Sequence, residues 1–132
     1  MWLTRVPVRS LPTEMERSIR PQQAIENGRT AFRTTLTLAG DGRPEREVPV
    51  FVIRFRDQLH AWVNICPHQG TQLDWEPGEV FDEAGTSLVC ASHGALFDPA
   101  SGLCTAGPCR GASLQAIAVR DSQDGIVLSL PR

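Results

Sequence analysis

The chain has 132 residues, 41% of them hydrophobic and 21% charged, and a formal net charge of −2. That length suits one domain with its own core and leaves no room for a second substantial one. A near-neutral balance without a basic stripe argues against nucleic-acid binding, and no run reaches the ~18 apolar residues that a membrane span needs.

Residues 1–12 read as an irregular arm. Arg5, Pro7, Arg9 and Pro12 interrupt it before an apolar run develops, so no signal peptide is expected and the chain is read as cytoplasmic. In that reducing compartment Cys more often binds metal or does redox chemistry than forms structural disulfides. Between Thr13 and Gly28 the pattern suggests short helical turns: Thr13 with Glu16 resembles a capping box, and Pro21 with Gly28 a start and a stop. Residues 1–30 are thus expected to be an N-terminal arm on a single domain spanning 1–132.

From Ala31 the period changes to two. Phe32, Thr34, Leu36 and Leu38 share one face of a strand, closed by the turn Gly40-Asp41-Gly42. Residues 47–55 form a second strand, and Pro49 suggests that its start lies at an edge. Arg56-Asp57-Gln58 reads as a tight turn into a third strand, 59–65, ending at Cys66-Pro67-His68. After a polar loop, short strands follow at 87–90 and 95–98, then a loop at 103–113 and closing strands at 114–119 and 126–130. Ten Pro and eleven Gly agree with this loop-rich, mainly antiparallel all-β reading.

Two strand ends carry matching tips. One is Cys66-Pro67-His68-Gln69-Gly70; the other, with 21 residues between His68 and Cys90, is Cys90-Ala91-Ser92-His93-Gly94. Short Cys/His spacing at a strand end lets two side chains of one loop converge on one metal or cluster, and two such loops supply four ligands. Two Cys and two His are also a common structural zinc set, but zinc modules favour Cys-x-x-Cys knuckles that supply like ligands. Here each loop offers one Cys and one His. His60, the remaining His, lies mid-strand and reads as a surface or packed residue.

The motifs resemble the Rieske iron–sulfur family over residues 48–130, with Phe97-Asp98, Gly102 and Gly107-Pro108 falling where such domains carry a turn and a proline loop. The resemblance implies a Rieske-like β-sandwich or barrel in which residues 60–113 form a cluster-binding subdomain of two hairpin loops. It implies a [2Fe–2S] cluster with Cys66 and Cys90 on one iron and His68 and His93 on the other. The interval between the loops is longer than usual. The extra length is assigned to the acidic, Pro/Gly-containing residues 74–85, since loop closure costs rise slowly with length.

High-potential relatives carry a Ser and a Tyr whose hydroxyls donate to sulfur. Ala95 and Phe97 stand at those places, and the chain has no Tyr. A low potential is therefore implied. High-potential members also join their two ligand loops by a disulfide, but residues 69–73 hold no Cys for it. Cys104 and Cys109 flank the proline loop instead, either as two packed thiols or as a local disulfide or redox-sensitive pair.

What the resemblance implies functionally is a small soluble Rieske-type ferredoxin without independent catalysis. It would pass electrons from a reductase to an oxygenase or other terminal oxidoreductase that docks near His68 and His93. Gln69, Trp75 and Pro108 would surround that tip. Trp75 has a core residue as its other reading, and Glu76, Glu79, Asp82 and Glu83 either rim the docking face or form a solvated loop. A small Rieske subunit of a larger reductase of the nitrite-reductase kind, or a redox-sensing protein, are the alternatives.

Overall fold

A computed structural model describes residues 15–40, 43–67, 70–74, 76–92, 94–123 and 125–130. Among the described residues nine strands follow in chain order: β1 (Met15–Ile19), β2 (Phe32–Gly40), β3 (Arg43–Phe55), β4 (Gln58–Val63), β5 (Leu88–Val89), β6 (Leu96–Phe97), β7 (Cys104–Ala106), β8 (Ala116–Ser122) and β9 (Gly125–Leu130). Every strand pairing is antiparallel. Six strands form one sheet in the order β1-β9-β8-β4-β3-β2, and β5-β6-β7 form a second. The large sheet curls into a nearly closed barrel. Its two edges approach each other where the Arg17 guanidinium donates to the Thr35 carbonyl at 3.1 Å. Among the described residues no helix is long and apolar enough to cross a membrane.

The run Val50-Phe51-Val52-Ile53 has no polar residue because this part of β3 is covered on both faces. Successive side chains of a strand point to opposite sides, and here they enter two different cores. Val50 and Val52 join Leu36, Ala61, Val63, Ile117, Ile126 and Leu128 inside the barrel. Phe51 and Ile53 join Trp62, Leu73, Val80, Leu88, Phe97, Leu114 and four cysteines outside it. β4 sorts its residues the same way, with Ala61 and Val63 inward and Trp62 outward.

The β3–β4 hairpin turns on Arg56 and Asp57, both at positive φ (52° and 67°). This is the two-residue geometry whose twist matches paired strands. Without glycine there, the strain of left-handed backbone is offset by a latch. Asn27 Nδ2 donates to Asp57 Oδ1 at 2.8 Å, and the Asp57 amide donates to Asn27 Oδ1 at 2.7 Å. The Arg56 guanidinium lies 5.0 Å from the centre of the Phe55 ring.

Three local expectations need correction. The expected helical turns do not form among the described residues: Met15–Ile19 is a strand paired with β9, with Ile19 opposite Ile126. Burial of Ile19 in the barrel outweighs the weak capping pattern, and Thr13 lies outside the described residues. Pro49 is not on an edge strand, since β3 has β2 on one side and β4 on the other. Its carbonyl accepts from the Asn64 amide at 2.8 Å, just past the end of β4. Its imide nitrogen faces that same side, so no ladder donor toward β2 is lost. Within the expected loop 103–113, Cys104–Ala106 pairs with β6 as β7; three residues are too few to show a period. The turn residues Asp41 and Gly42 lie outside the described residues.

Gly102 shows how tightly the outer core is set. It has φ +76°, and a β-carbon there would lie 2.6 Å from Trp62 Cζ3. The Trp62 ring cannot retreat: it is buried, and its Nε1–H donates to the Pro99 carbonyl at 3.1 Å. Gly102→Ala should therefore destabilise the fold by about 2 kcal/mol, from overpacking plus unfavourable φ. Urea unfolding should show a lower midpoint at unchanged slope, and an unchanged midpoint would contradict this packing.

Candidate metal centre

The two Cys-containing tips share one backbone plan. In residues 66–71 the Cys66 amide donates to the Thr71 carbonyl at 2.7 Å, and the Gly70 amide donates back to the Cys66 carbonyl at 2.8 Å. In residues 90–95 the Cys90 amide donates to the Ala95 carbonyl at 2.9 Å, and the Gly94 amide to the Cys90 carbonyl at 2.7 Å. Each six-residue loop closes through a glycine in the left-handed region, Gly70 at φ 74° and Gly94 at φ 71°. Side chains with a β-carbon rarely adopt that conformation, which accounts for glycine four residues after each Cys. A direct bond joins the loops, from the Ala91 amide to the Leu73 carbonyl at 2.8 Å.

Cys66 and Cys90 open these loops at equivalent positions, and neither has any exposed surface. Both belong to the outer apolar core. His68 and His93 lie outside the described residues, as do Gln69 and Trp75. In sequence the two His fall two and three residues after their Cys, within the same six-residue loops. Among the described residues no group of three or more His, Cys, Asp or Glu gathers as a metal site. The two thiols nonetheless fit a shared iron: like donors, equally buried, on matched loops that are bonded to each other.

The first loop is anchored by a polar network that sequence reading did not single out. Asn64, buried at the end of β4, accepts from the Leu73 amide at 2.9 Å and donates to Asp74 Oδ1 at 3.0 Å. Asp74 Oδ2 accepts from the Gly78 amide at 2.8 Å and pairs with Arg33 Nε of β2 at 2.9 Å. The Asp74 side chain is fully buried, whereas that of Arg33 is 38% exposed. Arg33 also donates to Gln72 Oε1 at 3.0 Å. The sequence signals are a polar Asn just before a Cys and an Asp at the start of an acidic loop.

That loop does not place all its carboxylates around the tips. Asp82 pairs through its backbone with Ser87, and Val80 pairs with Val89, so this stretch runs back from Cys90. Gly28 and Gly85 touch, with a β-carbon on Gly28 falling 3.0 Å from the Gly85 carbonyl oxygen. Glu79, Asp82 and Glu83 line an open groove with Arg29, Phe55 and Arg56. Asp82 and Glu83 therefore sit towards the Arg56–Asp57 turn, at the opposite end of β4 from Cys66, and do not rim the tips. Desolvation opposes ionisation of Asp82, but hydrogen bonds from Thr86, Ser87 and Gly85 outweigh it and hold its carboxyl below the usual range. Of the other residues expected at the tip, Glu76 and Pro108 are exposed.

A third loop covers the second tip. A β-carbon on Gly107 would lie 2.9 Å from Ala95 Cα, and Thr105 Oγ1 donates to the Leu96 carbonyl at 3.4 Å. Cys104 and Cys109 are both free and buried in this loop. Burial, then the adjoining Cys104 thiol, push Cys109 well above the ordinary thiol range. Ala95 and Phe97, which the resemblance sets where high-potential members carry hydroxyls, are fully buried. His60 is half-buried in β4; burial lowers its imidazole below the usual range, against the opposite pull of the Asp98 carboxylate.

A family model, the Rieske [2Fe-2S] domain, matches residues 25–122. No curated protein matches the chain. Among solved structures it is similar to the ferredoxin of carbazole 1,9a-dioxygenase from Nocardioides aromaticivorans IC177. That pair is 23% identical at a TM-score of 0.63, covering 89% of this chain and 99% of that one. A chain in the complex of reduced oxygenase and oxidized ferredoxin in carbazole 1,9a-dioxygenase is 20% identical at TM-score 0.64, covering 89% and 95%. The terminal oxygenase of carbazole 1,9a-dioxygenase from Novosphingobium sp. KA1 is 18% identical at TM-score 0.64, covering 89% of this chain but 30% of its own. At such identities the likeness is one of fold.

Removing the Asp74 carboxylate strands the Asn64 amide, the Gly78 amide and the Arg33 guanidinium together. Asp74→Ala should cost about 3 kcal/mol of stability, read by chemical denaturation. A loss below about 1 kcal/mol would show that water replaces the carboxylate without difficulty.

Proposed function

Because the chain belongs to the Rieske [2Fe–2S] domain family, we propose that it is a one-electron carrier, taking electrons from a reductase and delivering them to an oxygenase or comparable terminal oxidoreductase. The observation that carries this reading is the pair of matched loops, each opening on a fully buried Cys and bonded to the other. A ferredoxin covered over 99% of its length by this fold, and a complex of such a ferredoxin with its oxygenase, support the choice of partner.

In this reading Cys66 and Cys90 hold one iron, and His68 and His93 the other. When bound, the cluster supplies reversible one-electron chemistry, at a potential raised by its imidazole ligands relative to all-thiolate clusters. The chain's own residues set the surroundings. Leu73, Leu88 and Phe97, in the same core as the two Cys, exclude water from the thiolate side. Asn64 and Asp74 fix the base of the first loop, and residues 104–112 cover the second. The partner docks over the His-bearing ends of the loops, beside exposed Pro108 and Glu76.

Purified protein should be brown, contain iron and acid-labile sulfide, and give an EPR signal on reduction. A colourless zinc protein would end this reading. His93→Ala should lose or destabilise the cluster, whereas His60→Ala should retain it. With Ala95 and Phe97 in place of hydroxyl donors, the midpoint should fall towards the lower end of the family's range of about −150 to +300 mV. Redox titration giving a value well above zero would contradict the hydroxyl argument.

A further inference from the structure

Cys104 and Cys109 take no part in the ligand set, yet their sulfurs lie 2.8 Å apart. That is well inside the separation at which two non-bonded sulfurs rest, and within an ångström of the ~2.05 Å bond. The backbone holds both ends in place. The Cys104 amide donates to the Ala112 carbonyl at 2.8 Å, and the Ala112 amide donates to the Cys109 carbonyl at 2.8 Å. The Arg110 amide closes the intervening turn on the Gly107 carbonyl at 3.2 Å. The thiols are also ordered as a chain: Cys109 S–H donates to Cys104 Sγ, and Cys104 S–H donates to the Ala106 carbonyl at 3.3 Å.

We propose that Cys104 and Cys109 are an oxidative modification site, a dithiol that a small peroxide closes to a disulfide across the loop covering residues 90–95. Cys109 is the point of attack, being 7% exposed against 2% for Cys104 and flanked by exposed Pro108 and Arg110. Its sulfur attacks one peroxide oxygen, the O–O bond breaks, and one water leaves behind a sulfenic acid. Cys104 sulfur then displaces the hydroxyl, the S–S bond forms, and a second water leaves. Two thiols lose two electrons and two protons in all, and the peroxide takes them up as two waters. Burial keeps small the thiolate fraction that reacts, so closure is slow and stoichiometric.

The bridge spans Gly107, which abuts Ala95, and Thr105, which holds the Leu96 carbonyl. Resting on the cluster reading above, the closed loop clamps the Cys90 tip and slows iron loss.

Holoprotein is treated anaerobically with stoichiometric hydrogen peroxide, unfolded and alkylated. It is then cut before Asp residues, which releases residues 98–120 with Cys104 and Cys109 as their only thiols. The expected fragment is unlabelled and lighter by two hydrogens, whereas untreated protein is labelled at both Cys. Labelling at both Cys after peroxide, or added oxygen without loss of hydrogens, would overturn the site. In a second arm, a ferrous chelator should extract iron several-fold more slowly from the oxidised protein than from the reduced one. Cys109→Ser should show no such difference after the same treatment. Equal rates for oxidised and reduced protein would overturn the clamp. A colourless protein that still forms the bridge would sink the cluster reading and leave the modification site standing.

Discussion

The Val50–Ile53 stretch of β3 is buried on both faces, and the rest of the molecule is arranged around that constraint. A strand with one wet face can slide by a residue only by exchanging its apolar and polar sides. Here neither side is available to water, so Val50 and Val52 are committed to the barrel and Phe51 and Ile53 to the outer core. β4 follows the same register, with Phe51 opposite Trp62 and Val50 opposite Val63. The end of β4, and hence the entry to the Cys66 loop, is placed by the packing of the strands before it.

From that wall outward the structure relies on hydrogen bonds rather than on area. Each Cys-bearing loop is closed by its own pair of backbone bonds, and a single amide joins one loop to the other. The fully buried carboxylate of Asp74 gathers donors from β2, from the end of β4 and from the start of the long loop. A buried charge with a partial complement of partners would be costly. With three donors it ties together segments far apart in sequence. The apolar layer beneath the loops and this polar anchor beside them do different jobs: one dries the sulfur side, the other fixes the direction in which the first loop leaves the barrel.

Much of this was legible in the chain. The alternation from Phe32, the frequent Pro and Gly and the Cys–His tips at strand ends led to the all-β fold and the matching loops. What escaped had no local signature. The strand at Met15–Ile19 depends on pairing with β9, more than a hundred residues away, while the nearby Thr13 and Glu16 spell a helix cap. β7 is three residues long, and no periodicity can be read from so few. The roles of Asn64 and Asp74 arise only when distant elements meet around them. The carboxylates of the long loop illustrate the same limit: nearness in sequence to a Cys-bearing loop did not translate into nearness in space, because glycines allowed the loop to fold back on itself.

The contact between Gly28 and Gly85 gives that folding back a wider meaning. Extra chain between two Cys-bearing loops can be accommodated where it screens their tips or where it thickens the far flank of the barrel. Two glycines without side chains let backbone meet backbone, and the added segment lies down against residues 27–31. The length of this linker is thereby uncoupled from access to the tips, so such a domain can lengthen or shorten there while the surface around the two Cys-bearing loops stays as it is.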